Sequence, residues 1–445
     1  MAEKVSTRDL KRVLGFWDLM GTAVGQIIGA GIMSLTGVAI AMTGRSVPIA
    51  FMLSAVFVVM FSIPMAIISA TARFRGGQYS IVCSLVGKKW GGFFTIIFIL
   101  TNISIAMYAL SFADYALAFL PLLNRKLIAL TILTLFYILN YFGIDKMAKI
   151  QNLIVLTLVI ALAAFSLFGI TKIAPNYFSD NFMPSGIVGI LRAAALLTFA
   201  TGGALAAANL AGEAKNPTKD IPRVIVYSTV GVAVLYGFMS VIAAGVLPVA
   251  EVANQPLTWV AKEILPSVLY IFFIVGGAMF ALVSTLNAQL AWATKPVMQA
   301  CVDGWFPKKL AFLHPKYKTP VYLLTIMYVV GLLPIVFNFD IGVIGSIVII
   351  VSQFVNILLA FALLGMPKVM PELWNKSKFK TSPGVSKIIV LISVAVSIMQ
   401  VILLGSNMSL PLLFGNVVVV VVAAVFSMWR YNSGKVDVEE SYEDN

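Results

Sequence analysis

The chain of 445 residues has 60% hydrophobic and 11% charged side chains, and its mean hydropathy is +0.98. Soluble globular proteins have roughly a quarter charged residues, so the composition excludes an ordinary soluble domain and also a disordered chain. Two cysteines and one histidine leave no histidine-based metal site and no Ser-His triad, and we expect no cofactor and no metal.

Apolar stretches of membrane length follow one another along the chain, since a spanning helix needs roughly 17 to 25 residues. The sequence therefore predicts an all-α integral membrane protein with twelve spans and both termini on one side. The predicted spans are 14–41, 47–72, 91–120, 127–143, 151–171, 186–211, 224–247, 267–294, 321–338, 341–365, 388–405 and 411–429.

The net charge of +13 invites a nucleic-acid interpretation, but the positions of the basic residues argue against it. With the N-terminus in the cytoplasm, 25 of the 31 Lys and Arg residues lie on the cytoplasmic side, as the positive-inside rule expects. The other six are Arg45, Arg125, Lys126, Lys172, Arg192 and Lys262. We therefore predict a multi-pass protein of the cell membrane (the inner or plasma membrane). Its cytoplasmic ends are residues 1–13 and an acidic tail at 430–445, whose part from Val436 is expected to be disordered.

The first span contains the sequence GTAVGQIIGAGIM at residues 21–33. Gly21 and Gly25 fit a face for close helix packing. Gly29 and Gly31 flank one alanine at membrane depth, which predicts a break in the helix. Unwound backbone at that depth needs partners for its N–H and C=O groups, and the carboxylate and ammonium of a zwitterion would supply both.

The sixth span has a matching interruption at Thr201-Gly202-Gly203, 172 residues after Gly29. Paired interrupted helices are typical of inverted-repeat transporters. The pattern predicts a 5+5 arrangement with a first five-helix repeat at 14–171 and a second at 186–365. Helices 11 and 12 follow at 388–429.

Four stretches resemble the amino acid, polyamine and organocation permeases, in particular their amino acid permease and exchanger branch. They are GQIIGAGI at 25–32, GGQY at 76–79 with GKKWG at 87–91, the run 199–222, and LNA at 286–288 with 303–320. The resemblance covers about residues 14–365. It implies a LeuT-like version of the inverted-repeat fold with interrupted helices 1 and 6, and transport of a small molecule by alternating access.

The resemblance also implies which residues bind the substrate, through the backbone or the side chain. They are Gln26, Ile27, Ala30, Gly31, Asn102, Phe199, Ala200, Gly202 and Gln289. Ile27, Ala30 and Gly31 are expected to hold the substrate carboxylate, so that Gly31→Val would abolish transport by filling that site. Carbonyl groups near Gln26 and Phe199 would receive the ammonium, Phe199 would act as an aromatic gate, and the remaining side chains would surround the R group.

Two departures from the family pattern favour a neutral cargo. Leu205 lies where exchangers of basic substrates carry an acid, and Ala72 replaces a common glutamate. A buried cationic side chain without a partner is costly by several kcal/mol. We therefore predict exchange or uptake of neutral L-amino acids, with a polyamine or basic amino acid antiporter as the alternative.

The sequence does not specify how transport is coupled to energy. Leu158 lies where some relatives have a lysine that can relay a proton. Ser284 and Thr285 either offer hydroxyl groups to a sodium ion or bond their own helix. Exchange of one neutral amino acid for another requires no driving ion, and we favour it over uniport and ion symport.

Two charged residues near the predicted outer side have competing interpretations. Arg192 is either a snorkelling arginine at the interface or a vestibule cation that attracts a substrate carboxylate or pairs with Asp114. Asp114 is otherwise an acid at a helix end.

The uncharged polar side chains at membrane depth favour hydrogen bonds between helices; they are Asn102, Asn209, Asn287, Gln289, Ser352, Gln353 and Asn356.

Two other classes of membrane protein fit less well. A channel needs a continuous polar or charged pore lining, and a membrane enzyme needs clustered catalytic groups. The dispersed polar residues of this chain favour a transporter. Its expected partners are an amino acid and the lipid bilayer, without nucleic acid, and the protein is expected to be a monomer or homodimer.

Overall fold

The computed structural model describes residues 14–29, 31–74, 76–143, 147–210, 214–438 and 442–443. Helices make up most of this part of the chain, and its only sheet is a pair of two-residue strands. Residues 1–13 and Ala30, both named in the predictions, lie outside the described residues.

Eight α-helices occupy the described residues before position 170. They are α1 Phe16–Ile27, α2 Thr36–Thr43, α3 Val47–Thr71, α4 Gly77–Ile81, α5 Trp90–Thr101, α6 Ile105–Ala116, α7 Arg125–Tyr141 and α8 Met147–Gly169. The first strand, β1, is Arg73–Phe74. Shorter segments of π-helix (Gly31–Leu35, Val82–Val86) and 3₁₀-helix (Gly44–Ser46, Asn102–Ser104, Ile170–Lys172) continue or join these helices.

Twelve further α-helices follow among the described residues. They are α9 Gly186–Thr201, α10 Pro217–Gly245, α11 Val249–Val252, α12 Thr258–Ile264, α13 Ser267–Ile271, α14 Phe280–Trp292, α15 Thr294–Val302, α16 Val321–Val336, α17 Ile341–Val369, α18 Pro371–Lys376, α19 Pro383–Gly405 and α20 Leu410–Asn432. A 3₁₀-helix at Gly202–Leu210, a π-helix at Phe272–Met279 and a 3₁₀-helix at Lys308–Ala311 complete them. The second strand, β2, is Tyr442–Glu443.

Eight helical stretches within the described residues are long and apolar enough to cross a membrane. They are Phe16–Thr71, Trp90–Ala116, Gly186–Ala208, Pro217–Gly245, Ser267–Val302, Ile341–Val369, Pro383–Gly405 and Leu410–Asn432. The first runs over several helices, and three shorter apolar helices accompany the eight. The all-helical membrane architecture is thus present, whereas the count of twelve spans stays a prediction.

The first predicted helix break is present. α1 ends at Ile27, Ile28 is extended with φ −85° and ψ 94°, and helical structure resumes only at Gly31. The second break takes a different form, because α9 ends at Thr201 and the chain continues as a 3₁₀-helix through Leu210. The α-helical hydrogen bonding changes where the two glycines predict it, but the tighter helix keeps the backbone wound.

Arg45 holds together the loops at the end of the bundle predicted to face outward. Its side chain is 3% exposed, and it donates from Nε to the Ala244 carbonyl (3.2 Å) and from Nη1 to the Asn176 carbonyl (2.9 Å). Asp180 lies 3.5 Å away, and the Tyr177 ring faces the guanidinium. Burial raises the pKa of the Tyr177 phenol, and the positive charge of Arg45 opposes that rise.

The C-terminal tail differs from its prediction. The described part of the tail packs on the loops at the opposite end of the bundle: the Asp437 N–H donates to the Asp303 carbonyl at 2.9 Å, and Gly304 lies against the Lys435 backbone. Farther along, β2 pairs with β1 as an antiparallel ladder. The expected disorder is wrong for residues 436–438 and 442–443, because backbone hydrogen bonding to partners far away in the sequence outweighs the polar composition.

Candidate functional site

The two helix breaks touch each other through glycines. A Cβ atom on Gly31 would lie 2.4 Å from the Cα and 2.5 Å from the Cβ of Ala200. A Cβ atom on Gly203 would lie 2.7 Å from the carbonyl carbon and oxygen of Gln26 and 2.8 Å from the Ile27 nitrogen. Only glycine permits backbones to approach this closely, so the two glycines set the distance between the segments. The Cβ atom of Gly31→Val would meet Ala200, so this variant has a packing defect of its own, and the filling of a carboxylate site stays a prediction.

Side chains of α10 and α14 already use two carbonyl groups at the end of α1. The Tyr236 hydroxyl donates to the Ile27 carbonyl at 3.1 Å, and the Thr285 hydroxyl lies 3.0 Å from the Gly25 carbonyl and 2.9 Å from the Ala281 carbonyl. A carbonyl oxygen has two lone pairs, so Ile27 retains one for a ligand. The Thr285 contacts are those of a hydroxyl that bonds its own helix and the neighbouring break.

A cavity of about 210 Å³, here called the central cavity, lies beside both breaks. It is several times larger than the roughly 30 Å³ that a water molecule occupies in the liquid. Its polar lining comprises Gln26, Gln78, Thr101, Ser104, Tyr108, Thr198, Gln289, Ser352, Gln353 and Asn356. Its apolar lining comprises Phe61, Phe98, Phe199, Leu205, Ala206, Trp292, Val348, Ile349 and Val355, with Gly202 and Gly203 between them. No Asp, Glu, Lys or Arg occurs in this lining among the described residues.

Carboxamide groups meet at two places around the central cavity. Gln289 Nε2 donates to Asn102 Oδ1 at 2.9 Å, and Asn102 Nδ2 donates to the Phe98 carbonyl at 2.8 Å. The structure therefore joins two predicted site residues that are 187 positions apart.

The second group of carboxamides lies where α17 meets α19. Gln353 Nε2 donates to Gln400 Oε1 at 3.2 Å, and Asn356 Nδ2 donates to Gln353 Oε1 at 3.0 Å. The Thr198 hydroxyl lies 3.0 Å from the same oxygen of Gln400. Gln400, fully buried on α19, thereby connects a C-terminal helix to the residue that precedes Phe199.

A second cavity of about 650 Å³, here called the vestibule, lies farther along α17. Gly342 and Ser346 line the vestibule, whereas Ile349 lines the central cavity. Between them, a Cβ atom on Gly345 would lie within 3.6 Å of the side chains of three fully buried residues, Leu35, Met107 and Leu196. This group, here called the apolar layer, lies at the level of α17 between the residues that line the two cavities.

The vestibule lining contains Asp114, Arg125 and Arg192. Asp114 forms a two-point ion pair with Arg125, in which Nη2 and Oδ2 are 2.8 Å apart. Arg192 instead donates from Nη2 to the Ser406 hydroxyl at 3.3 Å, and its Nε has no partner among the described residues. A pairing of Arg192 with Asp114 is therefore wrong. Arg125 follows Asp114 closely in the sequence and satisfies both carboxylate oxygens in the fork geometry that arginine favours.

The predicted site residues that the structure describes fall into two groups, those that line the central cavity and those buried behind it. Gln26, Phe199, Gly202 and Gln289 line the central cavity. Ile27, Gly31, Asn102 and Ala200 lie behind it, where they are buried in the contact between the breaks or hold a lining residue. Ala30 lies outside the described residues.

Several residues of this region were not identified from the sequence. Tyr108 has its ring centroid 6.3 Å from that of Phe199, and Tyr236 and Gln400 act from neighbouring helices. Gln400 lies inside an apolar span, and a polar residue at that depth is the signal that did identify Gln353.

Comparison with known proteins identifies the family of this chain. The model of a family described as amino acid permease matches residues 14–428. The chain belongs to this amino acid permease family. It is therefore a membrane transporter and not an enzyme.

Three relatives show the range of this permease family. An uncharacterized protein of Methanocaldococcus jannaschii is 28% identical, over 66% of this chain and 70% of its own length. The branched-chain amino acid permease BcaP of Bacillus subtilis is 27% identical, over 70% of this chain and 72% of its own. Cationic amino acid transporter 5 of Arabidopsis thaliana is 25% identical, over 81% of this chain and 66% of its own length. The names of these relatives cover both neutral and basic amino acids.

Proposed function

We propose that the chain is a secondary transporter that exchanges neutral L-amino acids across the cell membrane by alternating access. The observation that carries this proposal is the central cavity beside two broken helices, whose described lining has hydrogen-bonding groups but no charge. Membership of the amino acid permease family supports an amino acid as cargo.

The proposed architecture is the LeuT-like fold of twelve spans, with inverted repeats at 14–171 and 186–365 and helices 11 and 12 at 388–429. Its support is the direct contact between the end of α1 and the start of the 3₁₀-helix after α9. Interrupted helices at matching places in two repeats commonly form the substrate site of such transporters. The basic residues support termini in the cytoplasm.

In this proposal the charged backbone of the amino acid docks where the breaks meet. The backbone at Gly29–Gly31 would take the carboxylate, and the remaining lone pair of the Ile27 carbonyl and carbonyls near Phe199 would take the ammonium. Phe199 would cover the substrate together with Tyr108, and the apolar layer would close the path to the vestibule. The substrate must bind the closed intermediate more tightly than the open states, because a ligand of equal affinity shifts no equilibrium.

The neutral cargo is supported against the polyamine or basic alternative by Leu205. This side chain lines the central cavity where basic exchangers of the family carry an acid. A cationic R group would lie there without a counter-charge, at a cost of several kcal/mol. Exchange needs no driving ion, and the contacts of Thr285 are met within the protein.

Proteoliposomes containing the purified full chain test this proposal. Uptake of radiolabelled neutral amino acids should saturate and should rise several-fold when the vesicles are loaded with unlabelled neutral amino acid. Lysine and putrescine should compete weakly. Uptake that ignores the internal amino acid would exclude exchange, and stronger competition by lysine would favour the basic alternative.

A further inference from the structure

The central cavity has hydrogen-bonding groups that the protein itself does not use. Gln26 is only 9% exposed and lines the cavity, yet its carboxamide makes no hydrogen bond with any described residue. The hydroxyl groups of Ser104 and Tyr108 also line the cavity without a hydrogen bond to the described part of the chain. Buried polar side chains nearly always have a partner. These three groups therefore remain available to water or a ligand in the central cavity.

The orientation of the Gln289 carboxamide follows from a backbone anchor. The Phe98 carbonyl can only accept, so the nitrogen of Asn102 must face it at 2.8 Å. The oxygen of Asn102 then faces Gln289 and accepts from its Nε2 at 2.9 Å. This leaves Oε1 of Gln289 as an acceptor with no partner among the described residues, in a side chain that lines the central cavity. A ligand that satisfies it must donate a hydrogen bond.

Charge limits which donor fits. The described lining has no carboxylate that could compensate a lysine or arginine side chain. A branched aliphatic side chain fits the apolar part of the lining, but it would exclude water from Gln26 and Gln289 without replacing its hydrogen bonds. Leaving a buried acceptor unsatisfied in this way costs roughly a factor of ten to a hundred in binding.

We propose that the central cavity selects amino acids whose side chain carries an uncharged hydrogen-bond donor, a carboxamide or a hydroxyl, and that Gln289 Oε1 accepts this bond. The inference rests on the proposed function, and it narrows the substrate class within neutral amino acids.

Isosteric pairs of amino acids give the sharpest test. Asparagine and leucine have nearly the same shape, as do threonine and valine, and within each pair one member lacks the donor. Proteoliposomes loaded with unlabelled threonine should take up labelled threonine. Asparagine and threonine should inhibit this uptake at concentrations roughly ten- to a hundredfold lower than leucine and valine.

The possible results separate the two proposals. If leucine and valine inhibit as well as their polar counterparts, or labelled leucine is exchanged in place of threonine, the selectivity is refuted while neutral amino acid exchange stands. If the vesicles exchange no amino acid at all, both proposals fail.

A pair of variants on α14 assigns the effect. Gln289→Met removes the acceptor at similar length. It should reduce the preference for asparagine, measured as the ratio of the inhibitory concentration of leucine to that of asparagine, at least fivefold. Asn287→Leu is the matched control, because Asn287 accepts from Asn140 at 2.7 Å and does not line the cavity. It should keep the wild-type ratio. Equal ratios in both variants would overturn the role of Gln289, and the isosteric comparison on the wild-type protein decides the selectivity even if a variant folds poorly.

Discussion

Replacing Gly31 by alanine tests whether close glycine packing sets the geometry of the site. The new Cβ atom would lie 2.4 Å from the Cα of Ala200, whereas ordinary van der Waals distances begin near 3.4 Å. The two segments must therefore move apart by about 1 Å, the difference between these distances. Such overpacking costs about 1 to 3 kcal/mol. We expect Gly31→Ala to lower the thermal stability and to reduce transport at least tenfold.

Alanine substitutions at Gly203 and Gly202 show how the loss of stability depends on the distance to the nearest atom. Gly203→Ala should be less severe, because the nearest atom to its Cβ would be 2.7 Å away, and Gly202→Ala should cost no stability, since its Cβ would meet only Val58 at 3.7 Å. Gly231→Ala, which meets nothing within 4 Å on α10, controls for the substitution itself. Thermal unfolding in detergent gives the ranking of stability, and exchange in proteoliposomes gives the ranking of transport for the glycines at positions 31, 203 and 231.

The double variant Gly31→Ala with Ala200→Gly distinguishes a steric cause from a loss of flexibility. It removes the methyl group of Ala200 that would lie 2.5 Å from the new Cβ atom, but the backbone of residue 200 would still lie 2.4 Å away. The double variant should therefore recover part of the lost stability and transport. Wild-type stability and transport in Gly31→Ala, or a ranking in which position 202 is the most sensitive in unfolding, would refute the reasoning.

Three further predictions concern the loops predicted to face outward, the carboxamides beside the central cavity, and the vestibule. Arg45→Met should lower the free energy of unfolding by about 3 kcal/mol, because two charge-assisted hydrogen bonds are lost; Asp180→Asn, whose carboxylate is 44% exposed, should cost less than about 1 kcal/mol, and thermal unfolding compares the two. Gln400→Leu should make leucine compete better against asparagine in the uptake assay, because Gln400 holds Thr198 and Gln353 of the cavity lining. Thermal stability should change little, because the variant removes the unpartnered Nε2 together with the two hydrogen bonds. An unchanged ratio of leucine to asparagine competition would contradict this positioning role of Gln400. Arg192→Gln should raise KM for uptake from the vestibule side roughly two- to fivefold at low ionic strength, with the difference fading as salt screens the charge; uptake kinetics at several salt concentrations check this.

The broken helices could be found from the sequence because their cause is local. Gly29 and Gly31 weaken a helix wherever they occur in an apolar span, and Gly202 and Gly203 do the same at the matching place. The form of the second break could not be found this way. The 3₁₀-helix after Thr201 packs against the backbone of Gln26 at Gly203, a contact between distant parts of the chain that glycine spacing does not reveal.

The pairing of side chains could not be derived from residue types alone. The sequence indicated only Arg192 as a partner for Asp114, whereas the structure pairs Asp114 with Arg125 and Arg192 with Ser406, because the end of α6 lies next to the start of α7. The buried carboxamide of Gln400 had no local feature linking it to Thr198, since the two are 202 positions apart.

The sequence by itself determined a helical membrane protein and the places where α-helical structure is interrupted, because composition and glycine spacing act over short distances along the chain. Only the tertiary structure decided which hydrogen-bonding groups are satisfied by the protein and which, such as Gln26 and the oxygen of Gln289, face the central cavity unused. That distinction depends on contacts between helices far apart in the chain, and the proposed substrate class rests on it.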